Sequence, residues 1–347
     1  MDSLSHISMG TGISILALSS GAVDSEYAVL TYATIITASV IPDIDVITKL
    51  GGNKSYINNH RGFTHSIIML IVFTLLINLL ANMYLPSHLN NILSGWIFIS
   101  IAFHLTTDIF NNYGIKLLWP FQDKWLSVGA TYTIDYIILG TFSIGSLLYF
   151  IFNINGMIYF TLAITFTVVY LLTLTLRREF RAIQIRSHFK NTKRIYLTSK
   201  TSPHQWKFVA QTYDGLYHIG ELNGKSLVVL QTQKKQRTID EDLWNIIKHD
   251  KNLKIFLKFS KVYNWDIKKR EKITEIRIKD LTYYTKVNKN YIYLFNCVIY
   301  VNNKTKKIDN TYVGFTTGDE TLYKMVEHPI SIKNFYKILS RKKGRMN

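Results

Sequence analysis

Hydrophobic positions follow two different patterns along this chain. Up to residue 176 they come in long blocks: residues 6–20, 27–41, 64–85, 91–110, 132–153 and 156–176. Beyond 177 they come in short groups between turn signals. A helix that crosses a membrane needs about 20 apolar residues. The last four blocks meet that length. The first two are short and rich in Gly, Ser and Thr, a composition that predicts a close-packed hairpin or a re-entrant pair. The expectation is a polytopic α-helical membrane domain, residues 1–180, with five or six transmembrane or re-entrant helices. A small β-rich α+β soluble domain, residues 181–347, follows. In that part 206–212, 216–221 and 226–231 read as strands joined at Asp214-Gly215 and Asn223-Gly224. Residues 240–248 read as a helix, 255–263, 273–284, 291–301 and 309–315 as strands, and 331–340 as a terminal helix.

Charge sharpens this division. Residues 1–176 hold five Lys/Arg and eight Asp/Glu, whereas residues 177–347 hold 36 and 15. The net charges are therefore −3 and +21, out of +18 for the chain. The few basic residues of the first half lie in loops 42–63 and 111–131, and seven more follow the last apolar block, from Arg177 to Arg194. Loops 21–26, 86–91 and 153–156 carry none. The positive-inside rule then makes the first set cytoplasmic and puts the basic domain in the cytoplasm of a cytoplasmic (inner) membrane protein. A basic surface there would face the anionic lipids of the inner leaflet. No helix-turn-helix or zinc-finger signature is visible, which ranks nucleic acid well behind lipid as a partner. Cys297 is the only cysteine, so an internal disulfide and a thiolate zinc finger are excluded. Asp2 and the lack of a basic start argue against a secretory signal.

The polar residues of the membrane half carry the candidate chemistry. His60-Arg61-Gly62-Phe63-Thr64-His65-Ser66 stands directly before a pure hydrocarbon run. Ionisable groups at membrane depth are costly and mark function. Thr64 reads as the helix N-cap, which would place His65 in the first turn. Asp43 and Asp45, two apart after Pro42, would point the same way in an extended segment. His104 and Asp108, four apart, share a helix face. On the topology above, His6, Asp43, Asp45, His60, His65, His104, Asp108 and Asp135 all fall at the inner membrane face. Any one of them alone is more simply a hydrogen-bonding group. Jointly they form an imidazole and carboxylate set without sulfur, suited to a divalent zinc, manganese or iron ion. Four histidines and four aspartates exceed the needs of one tetrahedral ion, leaving room for two ions or for carboxylates that orient the ligands. Arg61 is a candidate for holding an anionic substrate group, and Asp45 for general base.

Several stretches resemble the YdjM-like family of membrane-bound metal-dependent hydrolases, and its YfhP-like branch in particular. They are Met1-Asp2 with Ser5-His6 and Gly10, Pro42-Asp43-Ile44-Asp45, and the 60–66 segment. His104 to Gly114, Trp119-Pro120-Phe121, Lys124-Trp125 and Ile134-Asp135 continue the series, and Ser202-Pro203 with Trp206 extends it into the basic half. Ser5 stands where a threonine is usual, and Tyr136 where a proline often follows the aspartate. The resemblance implies a polytopic membrane protein with a His/Asp metal site and hydrolase activity. The position of the site points to a lipid-linked or phosphoester substrate. The alternative is a membrane-anchored sensor or regulator whose metal is structural and whose basic domain carries the signal. A transporter ranks last, because the polar residues stop at one face.

Overall fold

The computed structural model describes residues 1–316, apart from 201, 203, 237–238 and 288–289. The terminal helix expected at 331–340 lies outside the described residues. The chain divides into two compact units. One comprises Met1–Asp45, Arg61–Ile183 and Thr198–Trp206; the other comprises Val46–His60, Gln184–Leu197 and the chain from Lys207 on.

The first unit is helical: α1 (Ser3–Ser19), α2 (Ala28–Val40), α4 (Ile67–Ala81), α5 (Asn90–Ile109), α6 (Tyr136–Phe152) and the apolar part of α7 (Gly156–His188). Asp2 caps α1 by accepting from the Leu4 and Ser5 amides. Helix α1 lies between α2 and α6, and α5 packs on α2 and α4. Gly10 of α1 faces Ser39 of α2 so closely that a Cβ would overlap the Ser39 hydroxyl. Such close backbone approach is what small residues allow between membrane helices. Ile13, Ile35, Leu93, Ile97 and Ile101 fill the core between these helices.

Three helical stretches are long and apolar enough to cross a membrane: Ser25–Gly51, Ser87–Ile109 and Gly156–His188. A fourth arises if Lys54–His65 and Ile67–Ala81, bent by 71° at their junction, make one broken span. The structure therefore supports three or four crossings among the described residues and does not bear out five or six. The reason is length. Helices α1 and α6 have 17 residues each, about three short of a full crossing.

The second unit holds α3 (Gly52–Asn59) and the β-rich part. One antiparallel sheet has the order β1-β2-β3-β4, built from Thr192–Ser199, Gln205–Thr212, Leu216–Asn223 and Ser226–Lys234. A second has the order β10-β9-β6-β5, with β5 Tyr263–Lys269, β6 Ile273–Asp280, β9 Phe295–Asn302 and β10 Ile308–Phe315. A short ribbon pairs β7 (Tyr284–Val287) with β8 (Asn290–Tyr293). Helices α8 (Glu241–Ile247) and α9 (Lys251–Phe259) cover the second sheet, with Phe256 stacked on Phe295 at 4.9 Å. Helix α3 adds Ile57 to that core.

Three expectations change here. Residues 255–263 are mostly helix, because Asp250 caps α9 at the Leu253 amide and Leu253 and Phe256 bury one face. The runs 273–284 and 291–301 each break into two strands belonging to different sheets. Strands β1 and β5 were not foreseen.

Candidate metal centre

Helix α2 runs directly into a 3-10 stretch, Ile41–Gly51, so Asp43 and Asp45 are not on an extended segment. At three residues per turn they diverge, and they reach His65 from opposite sides. Asp43 Oδ1 lies 3.5 Å from His65 Nε2, and Asp45 Oδ2 lies 3.6 Å from His65 Nδ1. The segment before α4 also differs from expectation. Phe63–His65 is a single 3-10 turn, and the cap of α4 is Ser66, whose hydroxyl accepts from the Met69 amide at 3.3 Å. Thr64 is thereby freed for another task. Its hydroxyl sits 3.0 Å from His65 Nδ1 and 3.4 Å from Asp45 Oδ2. Arg61 has φ 53, the left-handed region, which costs a non-glycine residue about 1 kcal/mol or more. Two bonds hold it there: Asp45 accepts from its amide at 2.5 Å, and its carbonyl accepts from the Lys116 amide at 3.0 Å.

On α5, His104 and Asp108 share a face as the spacing predicts, with Nε2 and Oδ2 3.6 Å apart. His104 Nδ1 lies 2.7 Å from the Ser39 carbonyl. A carbonyl only accepts, so Nδ1 carries the proton and Nε2 is a bare lone pair. At His65 the Thr64 hydroxyl, which donates to Asp45, can accept from Nδ1, and that tautomer would leave Nε2 bare. The two Nε2 atoms stand 3.3 Å apart. Two carboxylate oxygens join them. Asp43 Oδ1 lies 3.8 Å from His104 Nε2, and Asp108 Oδ2 lies 3.5 Å from His65 Nε2.

Asp43, His65, His104 and Asp108 thus each offer one ligand atom, all within 4.8 Å of one another. With both imidazoles neutral and protonated at Nδ1, four electron-pair donors converge here, an arrangement that a cation would satisfy. Ligands about 2.0–2.1 Å from a tetrahedral zinc are about 3.3–3.4 Å from each other. The five separations that involve an imidazole run from 3.3 to 3.8 Å, slightly wider, and would tighten on binding. The donor set fits a divalent metal, and the carbonyl and carboxylate behind each imidazole are the orienting partners that metal-bound histidines usually have.

His6 completes the neighbourhood. Its ring stacks on His104 with centroids 3.6 Å apart, and its Nε2 lies 3.4 Å from Asp108 Oδ1. Both nitrogens of His6 and both oxygens of Asp108 are buried without a hydrogen-bond partner, although the Met1 amino group touches Asp108. Arg61 Nη2 stands 3.4 Å from Asp108 Oδ1 and donates to the Met1 carbonyl. The side chains of His65, His104 and Asp108 are at most 1 % exposed, whereas that of Asp43 is 15 % exposed and accepts from Ser3 at 2.6 Å. Asp43 therefore marks the way in.

Three residues expected as ligands are not among these four: His6, which stacks beside them, His60 and Asp135. His60 ends α3, with its ring stacked on Tyr56 at 4.4 Å. Asp135 caps α6 through the Ile137 and Ile138 amides and accepts from Tyr170 at 3.2 Å. Asp45, considered as a general base, is buried and engaged with Arg61, Thr64 and His65. The orienting groups Thr64 and the Ser39 carbonyl were missed from sequence. A capping hydroxyl looks the same as a ligand-orienting one, and a backbone carbonyl leaves no mark at all.

The family model "YdjM inner membrane protein" matches residues 1–180, which contain all four ligands. The model "YfhP C-terminal alpha/beta plait domain" matches residues 242–326. A curated relative from Bacillus subtilis (strain 168), named "Uncharacterized protein YfhP", is 27% identical over 330 residues, covering 94% of this chain and 99% of the relative. No solved structure matches the chain significantly. With more than half of its length matched, the chain belongs to the YdjM inner membrane protein family and carries a YfhP-type C-terminal domain.

Proposed function

We propose that the protein is a membrane-embedded metal-dependent hydrolase acting at the cytoplasmic face on a phosphoester, with a lipid-linked or headgroup phosphate as the natural substrate. The observation that carries this reading is the pair of imidazole Nε2 atoms, 3.3 Å apart and closed by two carboxylates. A zinc, manganese or iron ion held there would bring the pKa of bound water to about 7 and polarise a phosphoryl oxygen. Asp43, His65, His104 and Asp108 would hold it. Asp45 and Thr64 would keep the His65 proton on Nδ1, and the Ser39 carbonyl would do the same for His104. Arg61, beside Asp108, would meet the anionic group of a substrate entering past Asp43. His6, with both nitrogens unpartnered, is placed to take a second ion or the proton of the leaving group. The basic residues Arg177 to Arg194 and the domain beyond them would lie against the anionic inner leaflet, each near-surface cation contributing about 1 kcal/mol.

The experiment is phosphate release from a panel of phospholipid mono- and diesters by the detergent-purified protein. The reading expects activity that chelation abolishes, that manganese or zinc restores, and that His65→Ala lacks. Activity indifferent to chelators and to His65→Ala would remove it. The near-complete burial of His65, His104 and Asp108 favours a second reading, a structural metal in a regulator. That reading expects a bound metal that stabilises the fold, with no turnover on any ester.

A further inference from the structure

The second unit contains a cavity of about 520 Å³, within the roughly 300–1,000 Å³ typical of small-molecule sites. Arg194, Lys235 and Lys261 line it together with Trp244, Tyr263 and Trp265, and among the described residues no Asp or Glu does. Cations alone would mean little in a half that holds 36 of the chain's 41 basic residues. Yet the same half has 15 acidic residues, and none of the described ones lines this wall. The aromatic side is equally particular. Trp244 and Tyr263 both meet Trp265 edge-on, with centroids 6.2 and 5.9 Å away. In each pair the edge of one ring meets the face of the other, so the two indoles stand perpendicular and only one of them can stack on a given guest. Trp244 stays 38% exposed, while Leu243 and Ile247 supply the buried face of its helix. An indole is an expensive group to leave in water without use.

We propose that this cavity binds a mononucleotide, the base stacked on the exposed face of Trp244 and the phosphates held by Arg194, Lys235 and Lys261. Aromatic faces take any base, and the guanidinium fork with two ammonium groups matches a phosphate chain. A single cavity of this size suits one base. A nucleic acid strand would need a basic groove that tracks several nucleotides. The inference is independent of the hydrolase reading, because it uses none of the metal-centre residues.

The test is equilibrium dialysis of the full-length protein in detergent, with EDTA present, against ATP, AMP, inorganic tripolyphosphate and a ten-residue oligothymidylate. Saturable ATP binding in the micromolar range is expected, with tripolyphosphate at least about tenfold weaker because it lacks a base to stack. Arg194→Ala and Trp244→Ala should each weaken ATP about tenfold or more, Trp244→Phe should restore most of it, and His104→Ala should leave it unchanged. The proposal is overturned if ATP does not saturate, if tripolyphosphate binds as tightly, if Arg194→Ala and Trp244→Ala both bind like the parent, or if the oligonucleotide outcompetes ATP. Loss of ATP binding in His104→Ala would assign it to the metal centre instead and also overturn the proposal.

Discussion

At the scale of single residues, the tautomers of His65 and His104 decide what the centre can hold. The Ser39 carbonyl, which only accepts, fixes that of His104, and the Thr64 hydroxyl, which donates to Asp45, can set that of His65. Asp45→Asn should therefore weaken metal binding about 10–100-fold without abolishing it, read by competition with a fluorescent chelator. Asp108→Ala should abolish it. An Asp45→Asn protein that binds like the parent would mean that the carboxylate orients nothing. In the β-rich part Asp280 plays a purely structural role. It is fully buried and takes donors from the Ser260 hydroxyl and from the Thr282 amide and hydroxyl. Burial raises its pKa despite those three donors. Removing the acceptor strands them, so Asp280→Ala should destabilise this part by about 1–3 kcal/mol, visible as a lower urea midpoint with metal content unchanged. Much of the centre was legible at this scale. The His104–Asp108 spacing and the density of polar groups at 60–66 carry it. What was not legible was the division of labour. Asp43 and Asp45 look identical in sequence, and only the 3-10 turn sends one to the ligand side of His65 and the other behind it.

Elements bring these side chains together, and α1 and α2 do most of it. Helix α1 carries His6, and the end of α2 supplies the Ser39 carbonyl. Gly10 lets the two helices touch at Ser39. Gly10→Val must push them apart, at a cost of about 1–3 kcal/mol for an overpacked contact. Because Ser39 would move with α2, the variant should also lose metal affinity, although it changes no ligand. Metal content equal to the parent in folded Gly10→Val would show that the α1–α2 contact does not position the site. The sequence predicted this close packing from its small residues. It misled at α9, where Ile255-Phe256-Leu257 imitates a strand. The Asp250 cap and the spacing of Leu253 and Phe256 settle the helix, and both are local signals outweighed by a short apolar run. The broken runs 273–284 and 291–301 misled for another reason. Each strand pair belongs to separate sheets, and long-range pairing leaves no local trace.

On the scale of the whole molecule, a nearly neutral apolar part with a buried His/Asp centre is joined to a basic β-rich part. The charge step at residue 177 made that division readable, whereas the number of crossings depended on helix lengths that hydropathy blocks blur. Orientation has a direct assay. Cys297 is buried and its thiol pKa is raised by burial, so the native chain should be almost inert to maleimide. A cysteine placed at the exposed Lys225 should then be labelled by an impermeant maleimide only after the cells are opened. Labelling in intact cells would put the basic part outside and end the inner-face account. The account as a whole rests on one cation at Asp43, His65, His104 and Asp108. Elemental analysis of the purified protein, beside a His104→Ala, Asp108→Ala double variant, tests it most directly. About one to two equivalents of zinc, manganese or iron in the parent, lost in a folded variant, is the predicted result. A well-folded parent that holds no transition metal, even after incubation with each ion, would contradict it and leave the four residues as a buried hydrogen-bond network.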